Sequence, residues 1–173
     1  MPFKDIGQLT NVKGDATDPQ KLVTSNEICI IPHCCNDEGG WGKGFVLALS
    51  KKWTAPEAMY RAFMAGNKAF PTLGKVCIAK IDNDIAVANM IGQAGIVSED
   101  NPKPVKYWAL AMAMREVAGY IDMLQSKTMR KVVIHCPKFG SDLAMGDWNF
   151  ILELIRECWL EEGIDVVVYE YNG

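Results

Sequence analysis

Residues 33–44 form a glycine-rich stretch, HCCNDEGGWGKG, that restricts the folds open to this chain. The stretch follows the apolar run EICII at 27–31, which is typical of a buried strand, and precedes FVLALSKKW at 45–53, whose apolar residues have helical spacing. A strand-to-helix loop with four glycines lets the backbone approach a ligand closely, and the start of the helix adds positive dipole. The stretch therefore predicts an α/β fold with an anion, most naturally a phosphate, bound at this loop.

The length and composition predict a single globular domain over residues 1–173. Hydrophobic residues make up 49% and charged residues 23% of the chain, a balance that argues against disorder. The net charge of −3 argues against a nucleic acid polymer as the main partner. No apolar run approaches the roughly 20 residues of a membrane span, and the first residues lack a secretory signal. We therefore expect a cytoplasmic protein with no membrane partner.

Strand-like and helix-like segments alternate along the chain. A short strand ends near Val12, and the runs 75–81 and 85–91, joined by Asp-Asn-Asp, predict an antiparallel hairpin. Further strands are predicted at 130–137 and 164–171, and helices at 45–53, 55–70, 105–125 and 148–162. This alternation predicts a layered α/β domain, and the hairpin makes its sheet mixed.

A second glycine-bearing loop, KFGSDLAMGDW at 138–148, also leaves an apolar strand and opens a helix. Ligands of open α/β sheets bind outside the carboxyl ends of the strands, so we expect both loops to border one crevice that suits a diphosphate. The glycines of GGWGKG do not match the dinucleotide fingerprint GxGxxG, and no GxxxxGK[ST] sequence follows a strand. A Rossmann oxidoreductase and a P-loop ATPase are therefore poorly supported.

Three residues allow two interpretations each. Asp15 follows a strand and a glycine, where its carboxylate can cap backbone amides or accept from the amino group of a ligand. His33 can act as an acid, a base or a nucleophile, or can simply hydrogen-bond the loop. Trp41, between two glycines, can close over a ligand or anchor a lid.

Metal and thiol chemistry are disfavoured by spacing and by burial. Histidine and cysteine meet at 33–35 and 135–136, but neighbouring strand residues point to opposite faces and no C-x-x-C spacing occurs. The six cysteines sit mostly in apolar runs, where thiols are small buried residues and poor nucleophiles. The adjacent carboxylates Asp37 and Glu38 are typical of a solvated loop. We therefore expect no metal and no cofactor.

Five motifs, taken together and in this order, resemble the macrodomain family across nearly the whole chain. They are GDAT at 14–17, HCCNDEGGWGKGF at 33–45, VANMIGQ at 87–93, PKFGSDLAMGDW at 137–148 and VVVYE at 166–170. The resemblance implies a three-layer α/β/α fold with a mixed, mostly parallel central sheet, and it implies binding of ADP-ribose. It is nearest to the branch that contains ADP-ribose 1″-phosphate phosphatases and terminal ADP-ribose hydrolases.

The resemblance also implies roles for individual residues. Asp15 would hold the adenine amino group, with Ala16 beside the ring and Tyr169 as a further neighbour of the adenine. Asn36 would lie beside the distal ribose, and His33 stands where the phosphatase branch has a histidine proposed as catalytic. Asp142, which departs from the family pattern, is a second candidate catalytic residue. The walls of the crevice would be Gly40, Trp41, Gly42, Lys43, Gly44 and Phe45 on the first loop and Gly140, Ser141, Leu143, Ala144, Met145 and Gly146 on the second.

Two features depart from the family pattern. The hydrolases that cleave ADP-ribose from glutamate carry a lysine and an aspartate where this chain has Met90 (or Asn89) and Ala144, so the sequence argues against that mechanism. Asp142 stands where the family usually has glycine. Its carboxylate would crowd a diphosphate unless it points away, contacts a ribose hydroxyl or takes part in chemistry.

The resemblance thus predicts an ADP-ribose-binding module in NAD metabolism, with ADP-ribose 1″-phosphate phosphatase (a hydrolase) as its leading activity. One alternative is a non-catalytic module that recognises ADP-ribose or an ADP-ribosylated protein or nucleic acid. Another is a binder of some other NAD-derived nucleotide.

Overall fold

The structure, a computed structural model, describes residues 4–19 and 22–171. Its elements, in chain order, are β1 (Leu9–Lys13), β2 (Ile28–Asn36), α1 (Phe45–Lys52), α2 (Ala55–Gly66), β3 (Val76–Lys80), β4 (Ile85–Gln93), α3 (Tyr107–Thr128), β5 (Val132–Pro137), α4 (Trp148–Ile155) and β6 (Val166–Glu170). A π-helical turn, Arg156–Leu160, continues α4. None of the helices in the described ranges combines the length and the apolar character needed to cross a membrane.

The strands form one six-stranded sheet in the order β1-β6-β5-β2-β4-β3. Neighbouring strands are parallel except for β3, which pairs with β4 as an antiparallel hairpin. Asp82 closes the hairpin turn because its carboxylate accepts from the amides of Asp84 and Ile85, at 2.7 and 2.8 Å. The predicted hairpin and the mixed, mostly parallel sheet are confirmed.

Apolar helix faces cover both sides of this sheet. On one side, Leu110, Met114 and Val117 of α3 are fully buried against strand residues such as Ile134 and Val166. On the other side, α1 and α2 pack against the opposite face of β2 and β4 and form a second, smaller core. Helix spacing of apolar residues in α3 and the continuous apolar character of the central strands drive this packing. The three-layer α/β/α arrangement is therefore confirmed.

The strand before the glycine-rich stretch is longer than predicted. The run at 27–31 was predicted to end there, but β2 continues to Asn36, so the first four residues of the stretch belong to the strand and not to a loop. The ladder to β4 continues through His33↔Asn89 and, after a bulge, reaches Asn36↔Gln93. Burial on both faces and pairing with a central neighbour extend the strand up to the first glycines of the stretch.

Pro32 marks the point where β2 separates from β5. The amide of Ile28 points to β5 and that of Cys29 to β4, so the nitrogen of Pro32 points to β5, where it has no hydrogen to donate. The β2–β5 ladder ends just before this residue, at Ile30↔Ile134, while both strands continue. A gap therefore opens between two parallel strands at their carboxyl ends, and the two glycine-bearing loops leave from its two sides.

Two helices end earlier than the apolar spacing indicated. The helix predicted at 55–70 ends at Gly66, because the side-chain amide of Asn67 donates to the carbonyl of Phe63 at 2.7 Å and closes the last turn. The helix predicted at 148–162 is α-helical only to Ile155 and then widens into the π-helical turn. Neither of these helix ends belongs to the two glycine-bearing loops.

Candidate functional site

The crevice is bordered by two loops, the first glycine loop (residues 37–44, after β2) and the second glycine loop (residues 138–147, after β5). The two loops lie close together, as shown by the distance of 3.1 Å between a Cβ atom added to Gly44 and Cδ1 of Leu143. Gly44 also has a φ of 80°, a conformation that other residues adopt only with strain. Glycine at this position is therefore required twice, by the backbone and by the facing loop.

Asn36 and Tyr60 hold the first glycine loop in place. The side-chain oxygen of Asn36 accepts from the amides of Glu38 and Gly40, at 2.9 and 3.0 Å, and its nitrogen donates to the carbonyl of Gly40 at 3.0 Å. The fully buried Tyr60 donates to the carbonyl of Asn36 at 2.6 Å and accepts from the amide of Gly39 at 3.1 Å. The amide group of Asn36, expected beside the distal ribose, thus bonds mainly to its own loop.

Trp41 lies in the core beneath the first glycine loop. It is only 6% exposed, and its indole nitrogen donates to the hydroxyl of Ser50 at 2.8 Å. Its ring lies 5.4 Å from that of Tyr60 and 5.6 Å from that of His33. Trp41 thus packs as an anchor of the loop, and contact of its ring with a ligand stays a prediction.

His33 lies in the same buried cluster. It is 2% exposed, packed between the rings of Trp41 and Phe45, and its Nε2 lies 2.5 Å from the side-chain oxygen of Asn89. Burial lowers the pKa of His33 to about 4, although the hydrogen bond with Asn89 partly opposes this shift. The imidazole is therefore neutral near pH 7 and almost fully buried.

The first glycine loop presents backbone amides that the protein itself does not use. Within the described residues, the amides of Gly42, Lys43 and Gly44 donate to no acceptor. Helix α1 begins directly after them, and its N-cap Gly44 offers no side chain to the first turn. By contrast, α4 is capped by Asp147, whose carboxylate accepts from the amide of Asn149 at 2.9 Å. Unpaired amides at the positive end of a helix dipole suit an anion.

The second glycine loop is held in a fixed shape by its own backbone. The amide of Gly146 donates to the carbonyl of Gly140 at 2.8 Å, and a Cβ on Gly146 would lie only 2.4 Å from that oxygen. The loop is also tied to the segment before α3, because Ala144 accepts from the amide of Val105 at 3.0 Å. Met145, which is 55% exposed, has a φ of 60°. Such strain is found where surrounding contacts fix a loop.

The remaining predicted residues of this loop take different positions. Asp142 is exposed, and its carbonyl accepts from the amide of Met145 at 3.0 Å. The hydroxyl of Ser141 donates to the carbonyl of Lys138 at 2.8 Å. Leu143 is partly exposed toward the first glycine loop, whereas the side chain of Ala144 is buried.

Asp15 and Ala16, which follow β1, and Tyr169, near the end of β6, meet at the other end of the crevice. Oδ1 of Asp15 accepts from the amide and the hydroxyl of Thr17, at 2.8 and 2.7 Å, so this oxygen caps the turn. Ala16 is buried. Cδ1 of Tyr169 lies 3.7 Å from the position of a Cβ on Gly14. The turn at Asp15 and the ring of Tyr169 therefore stand side by side.

The structure thus brings the two glycine loops and the Asp15 turn to one edge of the sheet, and places His33 and Trp41 below it. Sequence reasoning did not identify Tyr60 or Asn89, because a tyrosine in an amphipathic helix and an asparagine in a strand carry no signal of their partners. Sequence reasoning also did not identify the structural role of Asp37. Its carboxylate accepts from the amide of Gly95 at 2.8 Å and so connects the first glycine loop to the loop after β4.

The thiols and acidic groups form no second reactive centre in the described part of the chain. Burial raises the pKa of all the cysteines, that of Cys34 to about 12, so these thiols are protonated. Among the described residues, no group of three or more His, Cys, Asp or Glu side chains is arranged to hold a metal ion.

Solved structures with the same architecture cover almost the whole chain. A protein of unknown function from Bacteroides thetaiotaomicron is 38% identical, with a TM-score of 0.81, and the match covers 94% of this chain and 98% of that one. A macrodomain protein from Streptomyces coelicolor is 37% identical, with a TM-score of 0.77, over 95% of this chain and 100% of that one. DarTG of Thermosipho africanus, solved in complex with ADP-ribose, shares the fold at 12% identity and a TM-score of 0.68, over 95% of this chain and 42% of that one.

Curated relatives are larger proteins. The chromodomain-helicase-DNA-binding protein 1-like of Danio rerio is 27% identical over 165 residues, which are 93% of this chain and 15% of that protein. The mouse (Mus musculus) protein of the same name is 27% identical over 171 residues, 96% of this chain and 18% of that protein. A comparison with models of known protein families finds no match. Because the chain matches the Streptomyces coelicolor macrodomain protein over its full length and well above the identity of a chance resemblance, it belongs to the macrodomain family.

Proposed function

We propose that this chain binds ADP-ribose or a close derivative in the crevice between the two glycine loops. The observation that carries this proposal is the pair of preformed loops, which present unpaired amides and the uncapped start of α1 to the same gap beyond Pro32. A diphosphate fits such a gap because amides and a helix dipole stabilise its charge. The turn at Asp15 and the nearly buried ring of Tyr169 would then border the adenine.

Family membership supports the same ligand. Thermosipho africanus DarTG, which shares the fold, is solved in complex with ADP-ribose. Low sequence identity limits this comparison to the fold, so the proposal depends on the loops of this chain. Calorimetric titration with ADP-ribose tests it directly, with AMP and ribose 5-phosphate as partial ligands. Measurable affinity that falls for both fragments is expected, and absence of heat at millimolar ADP-ribose would contradict the proposal.

Removal of a phosphate is the finer part of the prediction. ADP-ribose 1″-phosphate phosphatase activity needs a group that reaches the phosphoryl oxygens. His33 is neutral, buried and hydrogen-bonded to Asn89, whereas Asp142 is exposed on the second glycine loop. The geometry therefore supports recognition of ADP-ribose better than catalysis by His33, and the phosphatase activity stays a prediction.

Release of inorganic phosphate from ADP-ribose 1″-phosphate distinguishes these possibilities. The wild type is compared with His33→Gln, which keeps a partner for Asn89, and with Asp142→Asn, which keeps the shape of the exposed side chain. Loss of release only in His33→Gln would assign catalysis to His33, and loss only in Asp142→Asn would assign it to Asp142. No release by the wild type, with ADP-ribose binding intact, identifies a non-catalytic module.

Recognition of an ADP-ribosylated partner is the second candidate function. Exposed apolar side chains stand around the two loops, namely Ile96, Leu143 and Met145. They give a covalently attached protein or nucleic acid something to contact beyond the nucleotide. An ADP-ribosylated peptide that binds more tightly than free ADP-ribose would support this function. Equal affinity would favour the free nucleotide, and preference for NAD or another NAD-derived nucleotide would favour the third alternative.

A further inference from the structure

His135 is a buried histidine that the crevice described above does not use. It lies on β5, it is 1% exposed, and its Nε2 has no hydrogen-bond partner among the described residues. It lines a cavity of about 160 Å³ on the face of the sheet formed by β1, β6 and β5. Buried polar atoms without a partner are rare in folded proteins and call for an explanation.

The other ring nitrogen of His135 is engaged. Its Nδ1 lies 2.7 Å from the hydroxyl oxygen of Tyr169, and the two ring centroids are 5.8 Å apart. The register places Tyr169 opposite Pro137, two residues nearer the crevice than His135. The hydroxyl of Tyr169 is therefore tethered to His135, while its ring, which is 5% exposed, packs beside Gly14 at the crevice end of β6.

The contact between His135 and Tyr169 is a hydrogen bond in either tautomer of the imidazole. Nδ1 accepts the hydroxyl proton of Tyr169 or donates to the hydroxyl oxygen, and Nε2 has no partner among the described residues in either case. The carboxylates of Glu27 and Asp165, on residues that line the cavity, are bonded elsewhere, to the amide of Thr24 and to the amide of Gln8 and Lys131. Tyr169 is therefore the hydrogen-bond partner of the imidazole.

We propose that His135 is a positioning residue for the adenine end of the crevice, acting through the hydroxyl of Tyr169. This inference rests on the proposed binding of ADP-ribose. The hydrogen bond fixes the plane of the Tyr169 ring beside the Gly14–Asp15 turn, so that the adenine meets a ring already in place. Without the bond, binding has to restrict the ring as well as the nucleotide, and affinity falls because this ordering opposes association.

The experiment is a double-mutant cycle on ADP-ribose affinity. His135→Ala removes the partner of Tyr169, His135→Asn keeps a polar atom close to the position of Nδ1, and Tyr169→Phe removes the hydroxyl. Val133→Ala is the matched control, because Val133 lines the same cavity on the same strand without a polar contact. Calorimetry gives the affinity of each protein, and thermal unfolding gives its stability.

We expect His135→Ala and Tyr169→Phe each to weaken binding by about fivefold, the factor for one neutral hydrogen bond. His135→Asn should remain close to the wild type, and Val133→Ala should lose stability but not affinity. In the Tyr169→Phe background, His135→Ala should cause no further loss, since the partner is already gone. The ¹⁵N–¹H correlation pattern of the imidazole should differ between the wild type and Tyr169→Phe, because Nδ1 loses its hydrogen bond in the variant.

Several results would overturn the inference. If the wild type binds ADP-ribose and both His135→Ala and Tyr169→Phe bind it equally well, His135 has no role in positioning and the proposed function still stands. If the wild type has no affinity, the proposed function and this inference fall together. Should His135→Ala fail to fold, Tyr169→Phe and His135→Asn decide, and unchanged binding by Tyr169→Phe is sufficient to reject the inference.

Discussion

Asp15 and Asn36 direct most of their polar atoms to nearby backbone. Asn36 bonds to Glu38 and Gly40, and Oδ1 of Asp15 bonds twice to Thr17. Such bonds fix the loops before any ligand arrives, so less ordering is needed on binding. At the scale of single residues, these side chains therefore preorganise the loops, and the ligand contacts that we propose involve backbone amides and the second carboxylate oxygen of Asp15.

Asp15→Asn should change which base the crevice prefers. The asparagine keeps the oxygen that caps Thr17, so stability should be nearly unchanged. Its new amide donates where the carboxylate accepted, which opposes the amino group of adenine and suits the carbonyl of hypoxanthine. We expect weaker binding of ADP-ribose and relatively stronger binding of the inosine analogue, by calorimetry. Identical preference in both proteins would remove Asp15 from base recognition.

Tyr60→Phe should destabilise the first glycine loop. Its hydroxyl is the partner of the Asn36 carbonyl and the Gly39 amide, and loss of a buried partner costs about 1–3 kcal/mol of unfolding free energy. Urea denaturation measures this loss, and ADP-ribose affinity should fall with it. Tyr120→Phe is the control, because Tyr120 is half-buried and its hydroxyl makes no hydrogen bond to any described residue, so its change should stay within about 0.5 kcal/mol. Equal effects of the two variants would contradict this account of Tyr60.

The two glycine loops differ as structural elements. The first glycine loop is fixed by side chains from β2 and α2, whereas the second is fixed by its own backbone bond between Gly146 and Gly140. Both loops start at the carboxyl ends of their strands, past the last hydrogen-bonded pair of β2 and β5, Ile30 and Ile134. The gap between β2 and β5 is thus set by the strands, and the two glycine loops line it.

Gly146→Ala should reshape the second glycine loop. A Cβ there would lie 2.4 Å from the backbone oxygen of Gly140, and backbone cannot move aside cheaply. We expect loss of stability by about 1–3 kcal/mol and at least tenfold weaker ADP-ribose binding, about 1.4 kcal/mol. Denaturation and calorimetry measure the two effects.

Gly119→Ala is the matched control for that variant. It lies within α3, where no atom comes within 4 Å of the added Cβ. Alanine should therefore stabilise the helix by about 0.5–1 kcal/mol and leave affinity unchanged. If both alanine variants weaken binding alike, the shape of the second glycine loop is not what matters.

The architecture was predictable from sequence, and the placement of the site's side chains was not. Periodicity located the hairpin, the long α3 and the two loops, because burial on a helix or strand leaves a repeating pattern. That pattern did not show that β2 continues to Asn36. A proline can lie within a strand only where its nitrogen needs no partner, and this depends on which strands lie on either side of β2. The burial of His33 and Trp41 likewise depends on Tyr60 and Asn89, which are distant in sequence.

At the scale of the whole molecule, both histidines of the chain are uncharged in the folded protein near neutral pH. Burial lowers the pKa of His33 and of His135 to about 4. In the unfolded chain each would titrate near 6.5. Between these values the unfolded state binds more protons than the folded state, so folding is less favourable as the pH falls.

Stability should therefore decline on acidification from about pH 6.5 toward 4, and be fully retained above 6.5. Each histidine contributes up to about 1.4 kcal/mol of unfolding free energy per pH unit in this window. Urea denaturation between pH 7.5 and 5 measures the slope, and His135→Asn should reduce it by about half. A flat profile in the wild type would mean that the folded protein accommodates charged histidines.

The pairing of β1 with β6 has a consequence for biosynthesis. The amide of Gln8 donates to Asp165, 157 residues further along, and the strands that follow them are paired in register. A nascent chain can form the central strands and α3 while it is being made, but the strand that carries the Asp15 turn has no neighbour until β6 has left the ribosome. Contacts so remote in sequence form late and slowly. During translation the end of the sheet that carries the Asp15 turn is therefore the last part to assemble, and until then β5 is an unpaired edge of the sheet.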